Sequence, residues 1–527
     1  MSYPKLAIFF GCTFLAFLIL PSMATSYVLN LVERPDGSHI SRLIERHKIK
    51  NPTLHTRDFY EGFAFNATRR LVVVLSSALA LVLMARFRQA FNRFLAFSTT
   101  PFNVGVFRIV VMLQMLMFNF SSLLKLPSMA VEDMNFPLGW DWLANSLPPS
   151  QEFVSNLILG YRLLALAGLL GIYTSWSISC LAVFSFFMLL GPHLAGKMNH
   201  YHHLWLMTAI LACFPCGDAL SVDALVRRLR GGAIDPHQPS TRYGRVMVYS
   251  WIVMGWIYFF PGIWKFLVGG FAWAISDNVL LKIRLKMFEL STSPLIPVYD
   301  YPILCKLGGL AVLLFEVGFP LAMIFPYWRK IFAWAGVAFH ESVRLTMQIS
   351  FTSLEFFYIS FLDWSSLLNP HQPKAPTIEK IPLWKDGICS VIVSGMFVAG
   401  VLAFDGWPFA LYPHFASIEP RFVQSIEMRV YGNAVKDFRS ILIQKDPALI
   451  EDNLNGVELR SLLMKIMLTS DDQSRHRMIS DLFGVWQRSN TDCFPVRVEF
   501  WQVEVSLVTT TEFRPVKNLG ELIMASR

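Results

Sequence analysis

Lys197, Asn199, His200, His202 and His203 crowd together directly ahead of an uncharged run from Leu204 to Phe214. Ionisable groups at the edge of an apolar segment are costly unless they serve a site or set the segment's orientation. An amine beside apolar surface has its charged form disfavoured, so its pKa falls and it can act as a base. His200 and His203 are three apart, and a helix beginning there presents both on one face. The competing reading is structural: a lysine that snorkels to lipid headgroups and histidines that line an interface.

Three further groupings carry possible chemistry. Tyr258-Phe-Phe-Pro-Gly-Ile-Trp-Lys265 closes an aromatic stretch on a lysine. Pro261 and Gly262 can open a gap in the backbone hydrogen bonding where Lys265 meets an anion or a carbonyl, or the stretch is a kinked helix with a snorkelling lysine. His340-Glu341-Ser-Val-Arg344 resembles a zinc-protease helix whose second histidine is replaced by arginine, which leaves too few ligands for a metal. A His–Glu pair in an apolar segment still needs a partner or a substrate, and Glu316 in the preceding segment belongs to the same polar set. Cys213-Phe-Pro-Cys216 has the spacing of a dithiol redox centre, without a second cysteine pair to relay electrons. The sequons at Asn66 and Asn119 fall at or inside apolar runs and carry no meaning.

The elements that position these groups are set by composition. The chain has 527 residues, of which 54% are apolar, 14% aromatic and only 16% charged. That is a polytopic membrane protein. The net charge of +9 does not indicate a nucleic-acid partner, because Arg and Lys concentrate in short loops between apolar runs. Seven scattered cysteines do not make a disulfide scaffold.

Ten or eleven spanning segments are expected, near 6–29, 67–85, 106–124, 154–173, 176–191, 203–219, 246–269, 303–325, 331–350, 351–364 and 388–412. Each approaches the ~20 residues that cross a core ~30 Å thick. The first also resembles a signal peptide, and cleavage there leaves the topology unchanged. Arg86, Arg88 and Arg93, then Arg227 to Arg245, Arg329, Lys330, Lys374, Lys380 and Lys385, fall on one face if the crossings alternate. That face is cytoplasmic by the positive-inside rule, although Val32 to Arg70 is basic on the opposite side. Lys197 and the tail from Tyr412 then lie outside. In the tail, Val457 to Leu468 reads as an amphipathic helix and Val496 to Leu507 alternates like a strand. The expected fold is an all-α polytopic membrane bundle with a small C-terminal extracytoplasmic α+β domain. It divides into anchor helices and a charged loop at 1–100, a transmembrane domain at 101–412 and the small domain at 413–527.

Several short signatures stand in an order that resembles vitamin K-dependent γ-glutamyl carboxylase and its bacterial relatives, the horizontally transferred transmembrane domain proteins. They are Phe107-Arg-Ile-Val110, Phe136-Pro-Leu138, Ile178-Ser-Cys180, Asn199-His200 before an apolar helix, Leu220-Ser-Val-Asp-Ala224, Tyr258 to Lys265, and Phe339-His340. The resemblance covers roughly residues 100 to 365. It implies a multi-pass membrane enzyme that takes a reduced naphthoquinone with dioxygen and carbon dioxide as co-substrates, needs no metal, and carboxylates glutamate in a secreted peptide. Its partners are membrane lipid and that peptide, with no nucleic acid. Lys197 would be the base acting on the quinol, with Asn199 and His200 orienting it or stabilising oxyanion charge. Lys265 would counter the substrate anion, and His203, Glu316, His340 and Glu341 would complete the binding groups. In the family the lysine lies six residues before the histidine of the Asn-His pair; here Leu194 holds that place and Lys197 is the nearest lysine. Two alternatives stand beside this: a non-enzymatic relative that matures, exports or binds a secreted peptide, and a membrane thiol–quinone oxidoreductase built on Cys213 and Cys216.

Overall fold

The structure, a computed structural model, describes residues 3–36, 38, 41, 44, 57–131, 134, 136–137, 140–194, 201–232, 234–290, 293–368, 374–379, 381–404, 406–409, 411, 416–432, 438–446, 456–490, 495–508 and 513–523. Among these, eight helices are long and apolar enough to cross a membrane: Leu15–Glu33, Arg57–Leu81, Pro101–Ser128, Gln151–Leu170, Thr174–Leu194, Thr241–Gly269, Pro302–Ile324 and Leu383–Leu402. Three of the expected segments differ, each for a local reason. The one near 203–219 forms a helix only over His202–Cys213, because Phe214 precedes Pro215 and takes an extended backbone (φ −126°, ψ 161°). The one near 331–350 is a full-length helix, Pro326–Met347, but carries Arg329, Lys330, His340, Glu341 and Arg344. The one near 351–364 breaks into a single turn, Thr352–Glu355, and a 3₁₀ stretch, Phe356–Phe361.

The longer helices are α1 (Tyr3–Glu33), α2 (Arg57–Leu83), α3 (Ala85–Leu95), α4 (Pro101–Leu116), α5 (Gln151–Leu170), α6 (Thr174–Met188), α7 (His202–Cys213), α8 (Val222–Leu229), α9 (Thr241–Gly269), α10 (Asn278–Leu290), α11 (Pro302–Ile324), α12 (Pro326–Met347), α13 (Leu383–Leu402), α14 (Gly456–Leu468) and α15 (Asp472–Ser489). The chain forms two compact units: Met1–Val268 with Leu313–Val337 and Thr352–Ala416, and Gly269–Val312 with Ala338–Phe351 and Ser417–Arg527.

In the first unit, polar loops gather at one end. Ser240 N donates to Thr99 O (2.9 Å), Thr241 N to Thr377 O (3.1 Å), and Arg242 reaches both Glu379 (2.9 Å) and Asp218 (3.0 Å). Arg329 lies over Trp251 (4.0 Å), against which Phe94 of α3 also stacks, and Arg245 faces Asp386 (3.9 Å). Segments from the four basic loops therefore converge here. At the other ends of α9 and α13, Arg69 and Arg70 of α2 donate to the carbonyls of Leu267 (2.7 Å) and Val401 (2.6 Å). Carbonyls at a helix C-terminus carry partial negative charge, which explains two arginines inside an apolar run.

The α5–α6 turn shows how tightly that polar end is built. Ser150 caps α5, and Gly171 ends it in the left-handed region (φ 69°). Asp223 accepts the N–H groups of Tyr173 (2.9 Å) and Thr174 (2.7 Å) and so caps α6, while Ser221 caps α8 through Ala224 N (2.9 Å). Arg108 of α4, fully buried, donates to the carbonyls of Cys216 (3.2 Å) and Leu220 and holds the α7–α8 linker in place.

The second unit carries an antiparallel sheet of β1 (Phe422–Tyr431), β2 (Phe438–Leu442), β3 (Arg497–Ser506) and β4 (Phe513–Ile523), in the order β2-β1-β3-β4. The strand and helix expected at 496–507 and 457–468 are β3 and α14. One sheet face, with Ile426, Met428, Val430, Val498 and Phe500, packs on Leu459, Leu463 and Ile466 of α14 and on Ile479, Leu482, Phe483 and Trp486 of α15. Their three- and four-residue spacing is a helical stripe. On the other face Val423, Val503 and Val505 pack against Leu281, Leu285 and Phe288 of α10. The rest of that face is polar: Arg429 bonds Glu427 (2.9 Å) and covers Trp501 (4.6 Å), and Glu499 accepts from Tyr431 (2.9 Å), Trp501 (2.9 Å) and Arg497 (2.5 Å).

Candidate functional site

Lys197, Asn199 and His200 lie outside the described residues. Helix α7 follows Tyr201 and opens on His202 and His203, both buried. His202 Nε2 stands 3.2 Å from Nε2 of His193, and its ring packs 5.1 Å from Trp407. His203 Nε2 is hydrogen-bonded to Ser353 Oγ (2.9 Å), with the Phe357 ring edge-on at 5.3 Å. His193 was not singled out from sequence. It sits in a separate turn, Gly191–Leu194, nine residues before His202.

Lys265 and Glu316 meet. Lys265 Nζ lies 2.6 Å from both carboxylate oxygens, and the two side chains are only 4% and 6% exposed. A charge buried this deeply persists where its partner is close and well aligned. Gly262 makes the approach possible: a Cβ there would come within 2.8 Å of Glu316 Cβ and 3.0 Å of Val317 N. Helix α9 runs unbroken through Pro261, so the Pro-Gly pair serves close helix packing and not a break in the backbone. The anion that Lys265 faces is Glu316.

Polar groups continue along the interior of the first unit. Tyr358 donates to Tyr258 (2.6 Å between hydroxyl oxygens), Trp251 Nε1 to Ser360 Oγ (3.0 Å), and Asn103 Nδ2 to Asp363 (2.9 Å). The rings of Phe315 and Phe319 lie 5.2 Å and 4.4 Å from Tyr258. Ser353, Tyr358, Ser360 and Asp363 all come from the broken segment that sequence reading took as a span. Its short length, Glu355 and single polar residues among aromatics were the available signal.

His340 and Glu341 belong to the second unit. His340 is buried between the rings of Phe339 (5.0 Å) and Phe351 (5.4 Å). Glu341 is part-exposed and accepts from Arg344 Nε (2.8 Å), so the arginine in the place of the second histidine serves as a surface partner. Cys213 and Cys216 are buried free thiols; Cys216 faces the Leu211 carbonyl (3.5 Å), and Cys213 bonds the thiol of Cys389 on α13. Among the described residues no group of three His, Cys, Asp or Glu side chains is gathered to hold a metal ion. Comparison of the chain with protein-family models, with curated proteins and with solved structures finds no match.

Proposed function

We propose that the first unit inserts in a membrane as a multi-pass bundle and that the chain is a γ-carboxylase-like enzyme. It would add a carboxyl group to glutamate in a secreted peptide, at the side of the membrane opposite the basic loops. The observation that carries the reading is a set of buried and part-buried polar pairs inside an otherwise apolar bundle: His202 with His193, His203 with Ser353, Tyr258 with Tyr358, and Lys265 with Glu316. Ionisable groups held inside such a bundle are functional candidates by default. The packed rings of Tyr258, Phe315 and Phe319, beside the paired tyrosine hydroxyls, are the aromatic surface we assign to a flat, hydroxyl-bearing bicyclic ring. When bound, a reduced naphthoquinone supplies with dioxygen the strong base that a glutamate γ-proton requires.

The protein's own groups then have separate tasks. Lys197 takes the first hydroxyl proton as a neutral amine, and Asn199 and His200 donate to the oxygen that becomes negative. Lys265, held in place by Glu316, draws the glutamate carboxylate toward the interior. His203, fixed by Ser353, closes the apolar wall behind it. The signature residues Arg108, Ser221 and Asp223 do none of this, since they clamp and cap helices.

The test is direct. The full-length protein in lipid nanodiscs receives a reduced naphthoquinone, oxygen, labelled bicarbonate and a glutamate-rich peptide. Quinone epoxide and label in the peptide are then measured. Epoxide should form, Lys197→Ala should abolish it, small exogenous amines should partly restore it, and Lys197→Arg should fail because a guanidinium stays protonated. A second reading rests on the same ion pair: Glu316 already neutralises Lys265, which also suits a non-enzymatic relative that only binds a secreted peptide. Absence of epoxide with every naphthoquinol tried, together with retention of the peptide, would establish that reading instead.

A further inference from the structure

Helix α8 presents an apolar stripe that stays exposed among the described residues. Val222, Leu225, Val226 and Leu229 recur at the spacing of one helical face, and Leu225 and Leu229 are 56% and 78% exposed. The inward side of the helix is fixed by Asp223 on the α6 N-terminus and by Arg227 on Asp218 (3.1 Å). Arg228 and Arg230 are exposed and fall on either flank of the stripe at 3.6 residues per turn.

The level of this helix is set by what it is tied to. Asp223 N donates to Gly171 O (3.0 Å), so α8 starts at the turn between α5 and α6. At that turn Tyr173 and Trp176 are each 76% exposed, as aromatic residues are where a membrane meets water. Below it Leu159, Leu163, Leu166 and Leu170 line the outer face of α5, with Leu163 58% exposed. The stripe on α8 thus starts at the same turn where the outward apolar surface of α5 ends. A short helix with an apolar underside and basic flanks lies in the headgroup layer and is held by buried area plus attraction to anionic lipid.

We infer that α8 is an interfacial anchor: Leu225 and Leu229 sit among acyl chains, and Arg228 and Arg230 bind the phosphates of anionic phospholipid. The inference rests on the reading that the first unit spans a bilayer. It assigns this helix a ligand that the carboxylase reading does not require.

Spin labels test it in the full-length protein, with Cys12, Cys180 and Cys493 replaced by serine. Labels are placed singly by Leu163→Cys, Leu225→Cys, Arg228→Cys and Leu229→Cys. The protein is held in nanodiscs of phosphatidylcholine, with and without phosphatidylglycerol. Collision with oxygen, which partitions into acyl chains, is compared with collision with a water-soluble nickel chelate. Labels at 225 and 229 should favour oxygen over nickel by about tenfold relative to 228, consistent with burial of the apolar face ~5–10 Å into the boundary. Phosphatidylglycerol should deepen the label at 229, and Arg228→Gln with Arg230→Gln should remove that dependence, each arginine counting for about fivefold in lipid affinity.

Leu163→Cys separates the two levels of the argument. Nickel collision at 163 sinks the spanning bundle itself. Oxygen collision at 163 with nickel collision at 225 and 229 leaves the bundle standing and overturns the anchor. Protection of 225 and 229 from both reagents means a protein surface covers the stripe, and likewise overturns it. Equal depth in both lipids refutes the anionic assignment.

Discussion

Lys265 and Glu316 were both legible in the sequence as misplaced charges, but their pairing was not. The two lie in different helices, and the contact depends on Gly262, whose role as a packing glycine only the neighbouring backbone reveals. Breaking the pair should be far worse than deleting it. Lys265→Met strands a buried carboxylate and should destabilise the bundle by about 3–5 kcal/mol, whereas Lys265→Met with Glu316→Leu should recover most of that loss. Thermal unfolding of both variants in one detergent checks this, and an equal deficit in the double variant would refute it. Glu499 gives a second test. Burial opposes its charge, but hydrogen bonds from Trp501 and Tyr431, with Arg497 and Arg429 nearby, outweigh burial and hold its carboxyl below the ordinary value of 4.5. A depressed carboxylate stabilises the fold above its unfolded-state value and loses that contribution as pH falls through the folded one. Hydrogen-exchange protection of β1 and β3 should therefore drop as pH falls below 4.5, and Glu499→Gln should flatten the drop.

At the scale of elements, apolar length predicted existence better than extent. Composition located α5, α6, α9, α11 and α13, and the apolar runs of α9 and α11 stay helical even through Pro261 and Pro320. It overran α7, where one proline cut the run, and it took 351–364 for a span where single polar residues bond inward at each step. The α5–α6 turn is the sharpest case of an element fixed by contacts far away in sequence. Gly171 is left-handed, and a Cβ there would strike Ser221 and come within 2.6 Å of Arg108 Nη1. Gly171→Ala should therefore disturb the turn and the α7–α8 linker together, at a cost of roughly 1–3 kcal/mol. Limited proteolysis after Arg228 and Arg230 should speed up in parallel with thermal destabilisation; unchanged cleavage would show the linker to be independent of the turn.

For the whole molecule, composition announced a helical, apolar chain with a mixed C-terminal part, and the basic loops announced a shared end. What it did not announce is that 269–312 and 338–351 group with the tail, because contacts and not composition define a unit. The orientation drawn from charge predicts that Arg230→Cys in intact cells or sealed vesicles reacts with an impermeant maleimide only after permeabilisation, and that Gln473→Cys on the exposed face of α15 reacts before it. Reaction at 230 from outside would invert the orientation.

The interleaving of those units has a practical edge. The sheet's second face is covered by α10, through Leu281, Leu285 and Phe288 against Val423, Val503 and Val505. More than a hundred residues of chain separate α10 from β1, and α11, α12 and α13 lie in that interval. A secreted fragment that starts at Ser417 would leave with a bare valine surface, and any protease that cleaves between α10 and the sheet would produce halves that still fit. A cut in the chain thus leaves the tail docked on α10, so its release depends on separating the sheet from α10 and not on the cut.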